Sequence, residues 1–365
     1  MTGVIVSGRT RIPVRNLWLL MLYASALYQD HDALHRGNVE ENPDCLVDVI
    51  AELLADAVES RLQRSLGHAY RPRTADLARV RGQIDHLGTQ TRQLLSRGRV
   101  ACRFTELSVD NPRNRLMRTS LVVAAVRVRN AKLAARCRSL AGILVQAGVS
   151  SRPIGRGEAS GVVVGRNDVA DLDAVNAAKL ILAMDIPSEE DGTGHRWASS
   201  RDVAEMRRLY EAAVRGFYRA VLTAPWRVYP GEKRHHWPLD AATPGAHRIL
   251  PVMRTDTLLE TTDRRIVVET KFTDALKPNQ YGAVKLARNH VFQLYAYVQS
   301  QHDRDPLAAT AEGVLLYPTV NEHLDESVII QGHNYRFLTV DLTGRAQDIR
   351  STFLTVTDDT DRGLR

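Results

Sequence analysis

The chain has 365 residues, 44% of them hydrophobic and 25% charged, with a formal net charge of +7. That length allows two domains with separate cores, and the composition is that of a folded globular protein rather than a disordered or fibrous one. No apolar run reaches the ~18–20 residues that span a bilayer, and the best candidate, Leu17 to Tyr28, has no small-residue cleavage site after it, so neither a membrane span nor a signal peptide is expected.

In chain order, Asn16 to Tyr28 and Cys45 to Leu66 have helical apolar spacing. Strand-like stretches follow at Leu77 to Leu87 and Val100 to Leu107, punctuated by Gly82 and Gly98. Asn111-Pro112 is a helix-start signal, and helices are predicted over Leu116 to Val128, Lys132 to Ala147 and Val169 to Met184. Gly155, Gly157, Gly161 and Gly165 are spaced for a loop or hairpin rather than for a phosphate cradle. The composition then turns abruptly polar and Gly-containing between Ile186 and Arg196, which marks a boundary. Residues 1–195 therefore read as an N-terminal α+β domain and residues 196–365 as a second, α/β unit.

In the second unit a helix is predicted over Asp202 to Leu222. Strands follow at Trp226 to Tyr229, Ile249 to Glu260, Arg265 to Lys271, Gly313 to Pro318 and Tyr335 to Leu342. Helices are predicted at Val284 to Gln299 and Ala346 to Val356. Strands alternating with helices indicate a central sheet flanked by helices, a mixed α/β fold.

Three distant cysteines, Cys45, Cys102 and Cys137, contain no CxxC pair, which argues against a disulfide framework and a zinc site and favours a cytoplasmic location. The positive charge favours contact with polyanions. Of the basic residues 43 are Arg and six are Lys, so a lysine that persists here carries more information, and Lys271, Lys277 and Lys285 fall within fifteen residues.

The stretch Leu250 to Lys271 reads LPVMRTDTLLETTDRRIVVETK. Thr262-Asp263-Arg264 supplies a turn, so a hairpin brings Asp256 toward Glu269 and Lys271. Alternation along the strand sets those two on one face and Thr270 on the other. Two carboxylates and a lysine suit phosphodiester hydrolysis: Mg²⁺ takes oxygen ligands, activates water and polarises phosphate, while lysine serves the attacking water or the developing charge. The competing reading is an ordinary cross-strand pair on a solvated face. Against it, Ile266 to Val268 is apolar on both faces, and charges that end a buried strand are costly unless they are paired or hold an ion.

Further candidates surround the triad. Gln293 and Tyr297 share a helical face at i and i+4; Gln293 either orients the nucleophile or binds a phosphate, or is a hydrogen-bonded core glutamine, and Tyr297 is a candidate DNA contact. Glu211 either adds a metal carboxylate through water or pairs with Arg207 or Arg215. Lys233-Arg234-His235-His236-Trp237 reads either as a loop touching the DNA backbone or as a solvated loop; its adjacent histidines point apart and lack a third zinc ligand.

The triad resembles the PD-(D/E)xK nuclease pattern, with Thr255-Asp256 where Pro-Asp is usual. Across the chain, Ile12 to Ala24 (IPVRNLWLLMLYA), Val80 to Asp85 (VRGQID), Phe104 to Leu121, Leu250 to Asp256, VVETK, QLYAY and Val314 to Pro318 (VLLYP) follow in order. In this they are similar to McrC, the nuclease-subunit family of McrBC modified-cytosine restriction systems. The resemblance implies Asp256, Glu269 and Lys271 as catalytic residues, Mg²⁺ as the metal and double-stranded DNA with modified cytosine as substrate. It also implies an AAA+ GTPase partner of the McrB kind, engaged by the N-terminal region, that binds the GTP. The absence of GxxxxGK[ST] anywhere in the sequence agrees with nucleotide bound by another polypeptide. Two other readings stand beside this one: an autonomous nuclease, and a non-catalytic adaptor that activates an NTPase.

Overall fold

The computed structural model describes residues 3–7, 10–25, 27–28, 46–184, 200–230, 237, 239–278, 283–300, 305–319 and 323–358. The chain forms two compact units, Met1–Leu46 with Ile186–Arg365, and Val47–Asp185. The first segment opens with a hairpin of β1 (Gly3–Ser7) and β2 (Thr10–Pro13), followed by helix α1 (Val14–Ala24). α1 buries Leu17, Leu19, Leu20 and Tyr23, too broad an apolar surface for a helix lying on a solvated face.

Within the Val47–Asp185 unit, α2 (Leu46–Arg64) leads into a three-stranded antiparallel sheet. Its strands are β3 (Ala69–Leu77), β4 (Gln83–Ile84) and β5 (Val100–Ser108), in the order β3-β5-β4. Three helices follow: α3 (Pro112–Arg127), α4 (Ala131–Gln146) and α5 (Leu172–Met184). The helix-start signal operates as expected, with Asn111 Oδ1 accepting from the Asn114 N–H at 3.1 Å and Pro112 in the first turn. The strand expected at Leu77 to Leu87 lies mostly earlier. β3 carries exposed Arg71, Pro72 and Arg73, so it shows no apolar alternation, and nine residue pairs with β5 hold it instead. The glycines near 155–165 sit beside a short helix, Arg156–Ser160, and a 3₁₀ turn, Arg166–Asp171, rather than in a hairpin.

The larger unit continues with α6 (Ser200–Val221), β6 (Arg227–Tyr229), β7 (Thr257–Glu260) and β8 (Arg265–Thr270). A small ribbon of β9 (Leu276–Pro278) and β10 (Val284–Leu286) precedes α7 (Arg288–Gln299). β11 (Glu312–Thr319), β12 (Asp325–Ile330), β13 (His333–Asp341) and α8 (Ala346–Leu354) complete it. Six strands form a mixed sheet in the order β12-β13-β11-β8-β7-β6, with β8, β11 and β13 parallel. All six residues of β8 are buried, as befits an interior strand. α7 lies directly on β11: a Cβ added at Gly313 would stand 3.0 Å from Leu294 and Val298.

Three expectations are corrected here. The first 46 residues do not belong with the domain that follows them. Tyr23 of α1 packs against Phe217 and Phe353 at 5.2 and 6.4 Å, and Asn16 Nδ2 donates to the Leu342 and Gly344 carbonyls at 2.7 and 3.0 Å. A helix that apolar joins whichever core can cover it, and here that core is built by the C-terminal elements. The strand expected at Ile249 to Glu260 is confined to Thr257–Glu260; Pro251 has no N–H for a ladder, and Ala246–Ile249 forms a helical turn. The helix expected from Val284 begins at Arg288, because Val284–Leu286 pairs with β9. Among the described residues no helix is long and apolar enough to cross a membrane.

Candidate active site

β7 and β8 form an antiparallel pair in which Thr257 faces Val268 and Glu260 faces Arg265. Asp256, one residue before β7, is thereby set beside Glu269. On the other side β8 runs parallel to β11, with Leu315 opposite Glu269 and Leu316 opposite Thr270; the Lys271 N–H extends the ladder to the Leu316 carbonyl at 3.0 Å. Alternation puts Val267, Glu269 and Lys271 on the face that α7 covers.

α7 completes the arrangement. Lys271 Nζ donates to Glu269 Oε1 at 2.7 Å and to Gln293 Oε1 at 2.8 Å, and Gln293 Nε2 donates to the Tyr297 hydroxyl at 2.7 Å. Gln293 spends both ends of its amide on this chain, which fixes the amide's orientation and keeps the lysine over Glu269. Asp256 is held from two sides. Its Oδ2 accepts from the Thr270 N–H at 2.7 Å and from the Thr270 hydroxyl. Its backbone carbonyl accepts from Arg215 Nε at 2.9 Å, and Arg215 pairs in turn with Glu211 at 2.5 Å.

Glu269 is 3% exposed, and burial, followed by the neighbouring Asp256 charge, pushes its carboxyl up to about 8 against the pull of Lys271. Its Oε2 is buried without a hydrogen-bond partner. An orphaned carboxylate oxygen beside a second carboxylate fits a divalent cation, which would relieve both the repulsion and the lost hydration. Burial also raises the Tyr297 hydroxyl, with the Glu269 and Asp256 charges adding to it, and burial together with Glu269 raises that of Tyr317.

Sequence expectation and geometry can be compared residue by residue. Glu269, Lys271, Gln293 and Tyr297 come together in one hydrogen-bonded chain, with Asp256 beside Glu269 at the end of the adjacent strand. Glu211 pairs with Arg215, which in turn donates to the Asp256 carbonyl, and among the described residues no cluster of three or more His, Cys, Asp or Glu is suited to a metal. Two protein carboxylates suffice for Mg²⁺, which retains several waters. Lys233 and Arg234 lie outside the described residues. Thr270, expected on the face opposite Glu269 and Lys271, gives its hydroxyl to Asp256, which stands just before the first β7–β8 ladder pair. Arg215 was readable only as a partner of Glu211; its bond to the Asp256 carbonyl leaves no trace in local spacing.

A mixed sheet that brings two carboxylates and a lysine to the ends of adjacent strands, under a helix bearing Gln and Tyr, defines a mixed α/β protein with a compact carboxylate–lysine cluster. The chain matches the McrBC 5-methylcytosine restriction system component family over residues 6–318, and it belongs to that family. It is 24% identical over 351 residues to the Type IV methyl-directed restriction enzyme EcoKMcrBC of Escherichia coli strain K12, covering 95% of this chain and 98% of the relative. Two solved structures from Thermococcus gammatolerans are also similar. The first, a half-complex from a tetradecameric assembly of McrB AAA+ hexamers with bound McrC, matches at TM-score 0.42 and 15% identity over 94% of this chain and 76% of that one. The second, the McrBC complex, matches at TM-score 0.32 and 24% identity over 46% of this chain and 50% of that one.

Proposed function

We propose that this chain is the DNA-cleaving subunit of a GTP-dependent restriction complex directed at modified cytosine. The observation that carries the reading is the Asp256–Glu269–Lys271 constellation, with its orphaned Glu269 oxygen and a lysine held at a fixed place. Asp256 and Glu269 would hold Mg²⁺, which when bound supplies charge stabilisation for the phosphate and acidifies water. Lys271 presents a positive Nζ beside the carboxylates, where an ammonium can orient water and meet charge that develops on the phosphate. Gln293, anchored on Tyr297, holds that ammonium in place. Thr270 fixes the Asp256 carboxylate and the Glu211–Arg215 pair fixes its main chain, so the donor set is organised before any ligand arrives.

Restriction in such a system needs a motor, and the sequence has no P-loop of its own. Membership of the McrBC family and the AAA+ hexamers bound to McrC in the archaeal assembly support an AAA+ GTPase as partner. We assign its engagement to the Val47–Asp185 unit, since α1 is taken up in packing against Phe217 and Phe353.

The test is a Lys271→Ala variant assembled with the GTPase. Loss of cleavage with retained stimulation of GTP hydrolysis is the expected result. Undiminished cleavage would assign the chain an adaptor's role instead.

A further inference from the structure

Of the three lysines grouped within fifteen residues, Lys271 alone has a place in the network described above. The other two lie on the ribbon of β9 and β10, an antiparallel pair separate from the six-stranded sheet. Its register sets Leu276 opposite Leu286, Lys277 opposite Lys285 and Pro278 opposite Val284. The leucine pair packs against the core cluster that contains Leu294 and Tyr317, which anchors the base of the ribbon. Beyond that anchor Lys285 is exposed and Val284 is 61% exposed.

The register is unfavourable for the protein by itself. Like charges on directly opposed residues repel, and a two-stranded ribbon has few other contacts to offset them. Lys285 makes no ion pair among the described residues. Asp274 is the sole acid between Lys271 and His290, against Lys271, Lys277, Lys285 and Arg288. Arg288 stands exposed at the first position of α7, the helix that carries Gln293. Both ends of the ribbon are therefore rooted in the candidate active site, one in the strand that delivers Lys271 and the other in the helix that delivers Gln293. A row of phosphates is the partner that removes the repulsion, and lysine's compact charge on a flexible stem suits a backbone tracked without regard to sequence.

We propose that the β9–β10 ribbon, through Lys277 and Lys285 with Arg288 at its root, grips the phosphate backbone of the DNA presented to Asp256, Glu269 and Lys271. The proposal rests on the nuclease reading of that site. The ribbon supplies affinity and register on the duplex and no base selectivity.

The experiment uses the full chain assembled with its GTPase partner on a methylated duplex. Lysine acetylation by acetic anhydride is read by mass spectrometry with and without DNA, in the Asp256→Ala background so that the duplex stays intact. Lys277 and Lys285 are expected to react severalfold more slowly when DNA is present, with exposed Lys132 as the internal reference. In the active complex, Lys277→Ala with Lys285→Ala is expected to raise the DNA concentration for half-maximal cleavage about tenfold near physiological salt. The same pair lowers the slope of log affinity against log salt by up to about 2, the loss of two phosphate contacts. Lys277→Arg with Lys285→Arg keeps the charge and restores both readings, which separates a lost contact from a damaged fold. Equal acetylation with and without DNA, together with an unchanged salt slope, would overturn the proposal and leave the nuclease reading standing on wild-type cleavage. Protected lysines in a complex that never cuts would keep the ribbon and sink the nuclease.

Discussion

Replacing Glu269 with Gln keeps the shape of the side chain and removes only the charge that its surroundings oppose. The carboxyl is raised from 4.5 to about 8, chiefly by burial and then by Asp256. An acid whose folded value lies above its unfolded one binds more protons in the native state, so native stability falls as pH rises above about 4.5 and levels off beyond about 8. Between pH 6 and pH 8 the wild type therefore loses about 2 kcal/mol that the Gln variant does not lose, at roughly 1.4 kcal/mol for each unit of the shift. For a folded unit of this size that corresponds to a melting-temperature difference of about 4–8 °C. The pull of Lys271 on the ionised form is already contained in the value of about 8 and needs no separate allowance. The assay is thermal unfolding of both proteins in EDTA at pH 6 and pH 8. The gap between them is expected to shift by that amount in the variant's favour at the higher pH. Added Mg²⁺ at pH 8 is expected to raise the melting temperature of the wild type and leave the variant unmoved, because an ion bound only by the native state stabilises it by mass action. An identical gap at both pH values would refute the claim that Glu269 is held against its charge.

Other expectations follow from single contacts. Thr270→Val removes the hydroxyl on Asp256 while keeping the backbone N–H; the Mg²⁺ concentration for half-maximal cleavage is expected to rise about 10–100-fold, and an unchanged titration would contradict the positioning role. Glu211→Gln leaves a side chain that Arg215 can still donate to, so cleavage is expected to fall less than about tenfold; a loss as deep as that of Asp256→Asn would make Glu211 a direct ligand. Gly313→Ala forces a Cβ to within 3.0 Å of Leu294 and Val298. It is expected to destabilise the unit by about 1–3 kcal/mol in thermal or denaturant unfolding, and an unaltered transition would show that α7 can lift off β11 at no cost.

The triad is legible in the sequence because three local rules agree. A turn signal at Thr262-Asp263-Arg264 folds one strand onto the next, an apolar run buries the second, and period-two alternation puts Glu269 and Lys271 on one side. Gln293 and Tyr297 are legible for the same reason, since i and i+4 on a helix share a face. What connects those two groups is not legible. The Lys271–Gln293 bond spans the ribbon and depends on how α7 seats over Gly313, which no local period encodes. The bond from Thr270 to Asp256 is not legible, because Asp256 stands just outside the β7–β8 ladder and alternation does not say where its carboxylate reaches. The N-terminal segment is not placed by its sequence for a related reason: the apolar pattern of α1 shows that it must be buried, while the core that receives it, around Phe217 and Phe353, lies roughly two to three hundred residues away in the chain. β3 stayed hidden because an edge strand studded with arginine and proline carries neither alternation nor strand propensity.

The most direct test of the nuclease assignment is cleavage of methylated plasmid DNA by the chain and its GTPase partner, with Mg²⁺ and GTP, comparing wild type with Asp256→Ala. The account predicts that the wild-type complex cuts and the variant complex, still assembled and still hydrolysing GTP, does not. Equal cutting by the two would place the chemistry elsewhere and contradict the account.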